Sequence, residues 1–262
     1  MNFSLFFRTD ASILCLILFI ACLLMVKTGH ALRIKFLNPD EPESKGGVNS
    51  LMGALFGLWG FLLAFTFGNS ATRFENVRNV MVDETNAIRN AIMRSRVFND
   101  SLGAPLRANL AEYLQARVDY YNSVGDNEKF VHAKMQSQQL AEKLWDQTVE
   151  IAKLPNQTFP SSNMFASLTS MFDIATKRDA LLMAGVPEPI QYMLFTLALV
   201  LSFIGGFTTP AVKSKEWIVI TGFVLLACCI IYITLDLGRP MRGIIKPESV
   251  EQRIEELKHL LK

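Results

Sequence analysis

The chain has 262 residues, 50% of them hydrophobic and 19% charged, with a mean hydropathy of +0.26. That is more apolar than a soluble domain of this size requires, so membrane-embedded segments are expected. A net charge of +2 excludes the strongly basic surface of a nucleic-acid binder, and no nucleic-acid partner is expected.

In chain order, Ala11–Val26 carries no charge and reads as a first membrane helix. A signal peptide is the competing reading, with Arg8 before the apolar run and Gly29-x-Ala31 as a loose cleavage site. The run is long for such a segment and Lys27 and His30 crowd the site, so an uncleaved helix is expected. Lys27–Ser50 contains Pro39, Pro42, Gly46 and Gly47 and reads as a loop.

Leu51–Phe98 is the stretch around which the chain is organised. It starts apolar, becomes amphipathic after Asn69 and contains no proline. One helix of about 70 Å, at roughly 1.5 Å per residue, is predicted to leave a hydrocarbon core of about 30 Å and run on into water. A helical wheel puts Gly53, Gly57, Gly60, Ala64 and Gly68 on one face, a small-residue face that suits close helix packing in lipid. The opposite face carries Leu51, Leu55, Leu58, Leu62 and Phe65, then Asn69, Arg73 and Asn76. Two readings compete for it. Either the leucines face lipid, or copies of the helix ring an axis. In the second case Leu58, Leu62 and Phe65 form an apolar constriction, and Asn69, Arg73 and Asn76 a polar vestibule.

The segment from Ala71 to Gly185 balances its acids and bases and is predicted to be a helical bundle. The strut ends near Phe98, before breaks at Gly103 and Pro105. Further helices run over Pro105–Val124, Glu128–Leu154 and Ser161–Ala184, with Gly185 as a C-cap. Apolar spacing at Leu106, Leu110, Tyr113, Leu114, Val118 and Tyr121 marks a core, to which Phe130 and Trp145 are also assigned. Pro189–Thr209 and Trp217–Leu235 are two more membrane helices with interfacial Tyr192 and Trp217, joined by Pro210–Glu216. A tail ends in an amphipathic helix, Pro247–Lys262.

The expected architecture is therefore an all-α membrane protein, four transmembrane helices in a 2+2 arrangement flanking a cytoplasmic helical bundle. Its parts are 1–69 (two membrane helices), 70–186 (the bundle, entered by the second of them), 187–236 (two more) and 237–262 (the tail). Basic residues near the membrane number eight on the bundle side and six on the other, which puts the bundle in the cytoplasm.

Cys15, Cys22, Cys228 and Cys229 all lie in apolar runs and read as packing residues. No metal-ligand spacing, nucleophile motif or phosphate loop is present, so neither an enzyme nor a cofactor is expected. No membrane helix carries a central acid or base, which disfavours a coupled transporter. Two charged motifs remain. In Asp83-Glu84-Thr85-Asn86-Ala87-Ile88-Arg89, Glu84 and Arg89 are badly spaced for each other, so a partner on another helix is expected for Glu84; the arginines nearby alternatively attract anions to a pore mouth. Asp236, Arg239, Pro240 and Gly243 read as a tail anchor at the end of the last membrane helix, or alternatively as part of a gate.

With GLWGFLLAFTF, DETNAI and LDLGRPMRG in this order, the chain resembles the bestrophin-like domain family of bacterial membrane proteins. That is a family of unknown function, distantly similar to bestrophin chloride channels. The resemblance covers almost the whole chain. It implies a homo-oligomer, a pentamer by similarity, in the bacterial inner membrane, with membrane lipid and an inorganic anion as partners. By similarity, Leu58, Leu62 and Phe65 line its apolar neck. Asp236, Glu248, Glu251, Glu255 and Glu256 are dispersed and do not form the acidic run of the bestrophin calcium clasp, so calcium activation is not implied. The leading expectation is an anion-conducting channel; the alternative is a non-conducting membrane scaffold or signalling protein.

Overall fold

The computed structural model describes residues 9–36, 45–123, 127–183, 187–209, 214–239 and 257. Among these residues there are seven helices and no strand: α1 (Ala11–Phe36), α2 (Lys45–Ser95), α3 (Asp100–Asn122), α4 (Asn127–Ala152), α5 (Thr158–Met183), α6 (Glu188–Thr208) and α7 (Ser214–Leu237). Four are long and apolar enough to cross a membrane: α1, α6, α7 and the apolar half of α2. Helices suit hydrocarbon because each satisfies its own backbone donors and acceptors. The chain divides into two compact units. Met1–Arg73 and Gly185–Arg239 form a membrane unit; Phe74–Ala184 and Pro240–Lys262 form a polar one.

The membrane unit is held by a close approach of α1 to α6. A Cβ added to Gly29 would lie 2.2 Å from the Phe203 carbonyl oxygen, and one on Gly206 would lie 2.1 Å from that of Val26. Only glycine lets the two backbones meet at this distance. In lipid, where burying leucine gains little, such packing holds helices together. Arg33 adds a cap: its Nη1 donates to the Phe207 and Thr208 carbonyls at 3.2 and 3.3 Å, satisfying the C-terminal end of α6. Around this contact Cys15, Leu18, Cys22, Trp59, Leu63, Leu194, Leu201, Cys228 and Ile231 form the core. All four cysteines are free thiols; three are buried and Cys229 is exposed.

Helix bounds differ from the sequence expectation where glycine packs and does not break the helix. The loop expected over Lys27–Ser50 is helical at both ends, since α1 continues to Phe36 and α2 starts at Lys45. Gly29 ends nothing; it packs. The strut stops at Ser95, and α3 begins at Asp100, ahead of the expected break at Gly103 and Pro105. Asn99 caps it, its Oδ1 accepting from the Leu102 N–H at 3.2 Å. Pro105 is the sixth residue of that helix, past its first turn, so the helix accommodates a proline that cannot donate to the Ser101 carbonyl. Asn156, in the left-handed region at φ 61°, turns the chain between α4 and α5.

The polar unit has its own core of Ile88, Ala91, Ile92, Leu106, Leu110, Tyr113, Leu144, Met164, Leu168 and Met171. The expected periodicity of α3 holds for Leu106, Leu110, Tyr113 and Leu114, whereas Val118 and Tyr121 are only half-buried and Tyr120 is fully buried. Phe130 is half-buried and packs on Tyr120, with ring centroids 4.7 Å apart. Trp145 departs from the expected core: it is 39% exposed and lies against Phe165 at 4.7 Å. The expected tail helix lies outside the described residues except for Leu257, which is helical and buried in this core.

Gly206→Val is expected to lower the unfolding midpoint of the detergent-solubilised chain, at a cost of about 1–3 kcal/mol for overpacking. Gly205→Val is the control, because a Cβ there meets nothing within 4 Å. Equal midpoints for the two variants would remove the backbone contact from the stability of the unit.

Candidate functional site

The apolar half of α2 packs on its own chain along one stripe only. Trp59, Leu63, Thr66 and Ser70 are buried on it, and Trp59 Nε1 donates to the Leu194 carbonyl at 3.3 Å. Thr66 spends its hydroxyl on the Leu62 carbonyl one turn back, at 2.7 Å. The glycine face singled out from the sequence lies away from this stripe, whereas the leucine face borders it, with Leu55 and Leu62 half-buried against the same core. Cβ atoms built on Gly53, Gly57, Gly60 or Gly68 meet nothing within 4 Å, and Ala64 is exposed. The small-residue face is therefore not packed by the described residues of its own chain. The close helix contact uses Gly29 and Gly206 instead, two glycines too far apart in sequence to form a motif.

On the leucine face, Leu58 and Phe65 are 45% and 53% exposed, while Leu62 is half-buried against the core. Phe61 stacks on Phe65 with centroids 6.5 Å apart and is itself exposed. Asn69 and Asn76 are exposed and Arg73 is half-buried. Further along, Arg78, Arg89, Arg94 and Arg96 are all exposed, and Arg94 donates to the Asn163 carbonyl.

The polar unit contains a second constellation. Glu84 of α2 is buried between Arg117 of α3 and Arg178 of α5, so Glu84 does have its partners on other helices. Arg117 Nε donates to Glu84 Oε1 at 2.5 Å, and its Nη2 reaches Asp179 Oδ1 at 3.2 Å. Arg178 Nη1 donates to Glu84 Oε2. Both guanidinium groups also lie over the Tyr120 ring, at 4.8 and 5.5 Å from its centroid. Burial opposes the charge on Glu84, but Arg178 and Arg117 outweigh it and hold the carboxyl below the usual carboxylate range. Burial likewise opposes the charge on Arg117, and Glu84 followed by Tyr113 and Asp179 overcomes it, so this guanidinium keeps its proton more firmly than usual. Two acids balance two bases. The cluster is an internally compensated lock on three helices, and it offers no net charge to an anion.

At the end of α7, Asp236 is buried and Arg239 Nη1 donates to the Thr9 carbonyl at 2.7 Å, just ahead of α1. This bond ties the end of α7 to the residue ahead of α1; Pro240 and Gly243 of the expected tail anchor lie outside the described residues. No group of three metal-ligating side chains occurs among the described residues.

A polytopic helical membrane protein whose second span continues into a helical bundle is the class that this fold defines. Residues 12–249 match the bestrophin-like domain, and the chain belongs to that family. Its fold is shared with solved structures. A point variant of a bacterial bestrophin homologue from Klebsiella pneumoniae superposes with a TM-score of 0.70 at 10% identity, over 94% of this chain and 97% of that one. A second variant of that homologue gives 0.71 at 11% identity over 97% of each chain. A structure described as a membrane protein variant gives 0.72 at 10% identity, over 94% of this chain and 96% of that one. No curated protein matches the chain in sequence. Identities this low establish the shared architecture alone.

Glu84→Ala would leave two buried guanidinium groups without their shared carboxylate, and a loss of about 3–5 kcal/mol is expected in the unfolding free energy. The acid dependence has a definite sign. Because the folded chain holds the Glu84 carboxyl below its ordinary range, its contribution is complete at neutral pH, above the unfolded-state value. It disappears as the pH falls through the folded-state value. Denaturant titrations of both proteins should therefore converge in acid; a constant difference down to low pH would contradict the pairing.

Proposed function

We propose that the protein is an oligomeric, anion-conducting channel in the bacterial inner membrane, with its polar unit in the cytoplasm and α2 lining the pore. One observation carries this reading: the apolar half of α2 leaves its glycine face, and on the other side Leu58 and Phe65, uncovered by the described residues of its own chain, while Leu62 between them is half-buried. In a ring of copies the glycine face, with Gly53, Gly57, Gly60, Ala64 and Gly68, takes the neighbouring subunit at close range. The other face then turns to the axis. Leu58, Leu62 and Phe65 narrow the path with side chains that offer water no hydrogen bond, so the constriction gates by dewetting. Asn69, Arg73 and Asn76 follow as a polar vestibule, and the exposed arginines beyond them favour anions. A pentamer is the stoichiometry that similarity to bestrophins supports. Asp236 and Arg239, with Pro240 and Gly243, anchor the tail. No enzymatic step or cofactor enters this reading.

A second reading, a non-conducting scaffold, draws on α4, which exposes Val131, Met135 and Trp145. Large apolar side chains on a polar unit suit a protein partner.

The mass of the particle in mild detergent separates the two. A closed ring of four or more 29.4 kDa chains is expected, and a monomer or dimer would end the channel reading. Gly57→Leu should dissociate the ring without unfolding the chain. Chloride efflux from proteoliposomes should rise in Leu62→Ala and in Phe65→Ala; fluxes equal to the parent protein in both would take α2 off the pore.

A further inference from the structure

The membrane unit has a partly open cavity of about 330 Å³ whose wall is built from α1, α2, α6 and α7. Leu18, Phe56, Leu201, Phe223 and Ile231 represent its character: the lining is almost wholly apolar. Its few polar groups are already engaged. The Ser202 hydroxyl donates to the Ala198 carbonyl at 2.7 Å, Thr208 to Ile204 at 3.0 Å, Thr209 to Gly205 at 2.8 Å, and the Trp59 indole to Leu194. Water needs about two to four polar partners to settle in such a space, so a wet or ion-filled cavity is unfavourable here. Leaving it empty is also unfavourable, because an interior wall without facing atoms forfeits dispersion contacts. The volume is more than twice that of an apolar cavity of about 150 Å³ that binds benzene.

Two features specify the occupant. First, Val219 and Phe223 line the cavity and are 72% and 51% exposed, so its α7 side opens to whatever surrounds the membrane helices. In a bilayer that medium is hydrocarbon. Second, positive charge lies at one end. Arg33 sits on the Phe207 and Thr208 carbonyls, and Thr208 belongs to the lining. Lys27 Nζ lies 5.9 Å from the Trp217 ring centroid, two residues before the lining residue Val219. An apolar slot with two cations next to its lining at one end matches the two halves of an anionic phospholipid.

We propose that this cavity is a lipid-binding site that takes one acyl chain of an anionic membrane phospholipid, with the headgroup phosphate at the Arg33 and Lys27 end. The site depends on placement in a membrane and not on conduction, so it stands or falls separately from the channel.

The test uses Trp59, which lines the cavity yet is only 7% exposed. Trp59, Trp145 and Trp217 are the three tryptophans of the chain, so Trp145→Phe with Trp217→Phe leaves it as sole reporter. The full-length double variant is reconstituted into phosphatidylglycerol vesicles whose acyl chains carry bromine, a short-range quencher. Quenching of Trp59 is expected, and it is lost when Ala227→Phe fills the cavity from α7. Ser202→Leu fills it from α6 and gives the same result if the first variant does not fold, as judged by circular dichroism. Unquenched Trp59, as an empty cavity or a neighbouring subunit across its mouth would give, overturns the proposal. So does quenching that survives both filling substitutions. Brominated phosphatidylcholine is expected to quench less at equal mole fraction; equal quenching would overturn the assignment of the headgroup.

Discussion

A single uninterrupted helix has to satisfy two solvents, and the remainder of the chain follows from that constraint. The first half of α2 has no charged side chain from Ser50 to Thr72, while the second half brings Glu84 into a bundle core. No proline or cap divides it, so its backbone hydrogen bonds continue across the boundary between units, which falls at Arg73 and Phe74. Each half is then stabilised by the physics of its own medium.

In the membrane unit the decisive term is proximity. Leucine side chains gain little by leaving lipid for protein, so α1 and α6 associate through backbones that meet at Gly29 and Gly206. In the polar unit the hydrophobic effect operates normally, and Leu106, Leu110, Leu144 and Met171 supply it. What apolar packing leaves undetermined there is helix register. The buried carboxylate of Glu84 constrains it, because each of its two oxygens is met by an arginine from a different helix, Arg117 of α3 and Arg178 of α5. Desolvation offsets much of the attraction within such a cluster, whereas removing one partner leaves a buried charge uncompensated.

Much of this is legible in the sequence. Hydropathy locates four spans, and the absence of proline between Leu51 and Phe98 signals a helix that outlasts the membrane. The poor spacing of Glu84 and Arg89 points to an interhelical partner, although nothing in one dimension can choose Arg117 and Arg178. Three departures share a cause. Gly29 reads locally as part of a loop, Gly103 as a break and Trp145 as core, because local propensity cannot see what faces a residue from another part of the chain. Asn99 is different. An Asn-Asp pair at the head of a helix is a readable start signal, and Gly103 and Pro105 draw attention from it. The α2 residues proposed to line a pore stand apart from these cases, since such a role would depend on copies that a single chain does not contain.

The contact between Gly29 and Gly206 bears on how sequence variation in this fold can be read. Each added Cβ would strike a main-chain carbonyl of the facing helix, not a side chain. Enlarging one position cannot be compensated by shrinking the other, because both are already glycine and the obstacle is backbone. The two sites are therefore constrained in parallel and have no way to change in concert. Methods that infer spatial neighbours from correlated substitutions would pass over this tight meeting of α1 and α6 while detecting looser pairs such as Phe56 and Phe223, whose rings can trade volume. For helices joined in lipid through glycine, an invariant pair with no correlation is the expected trace of the strongest contact.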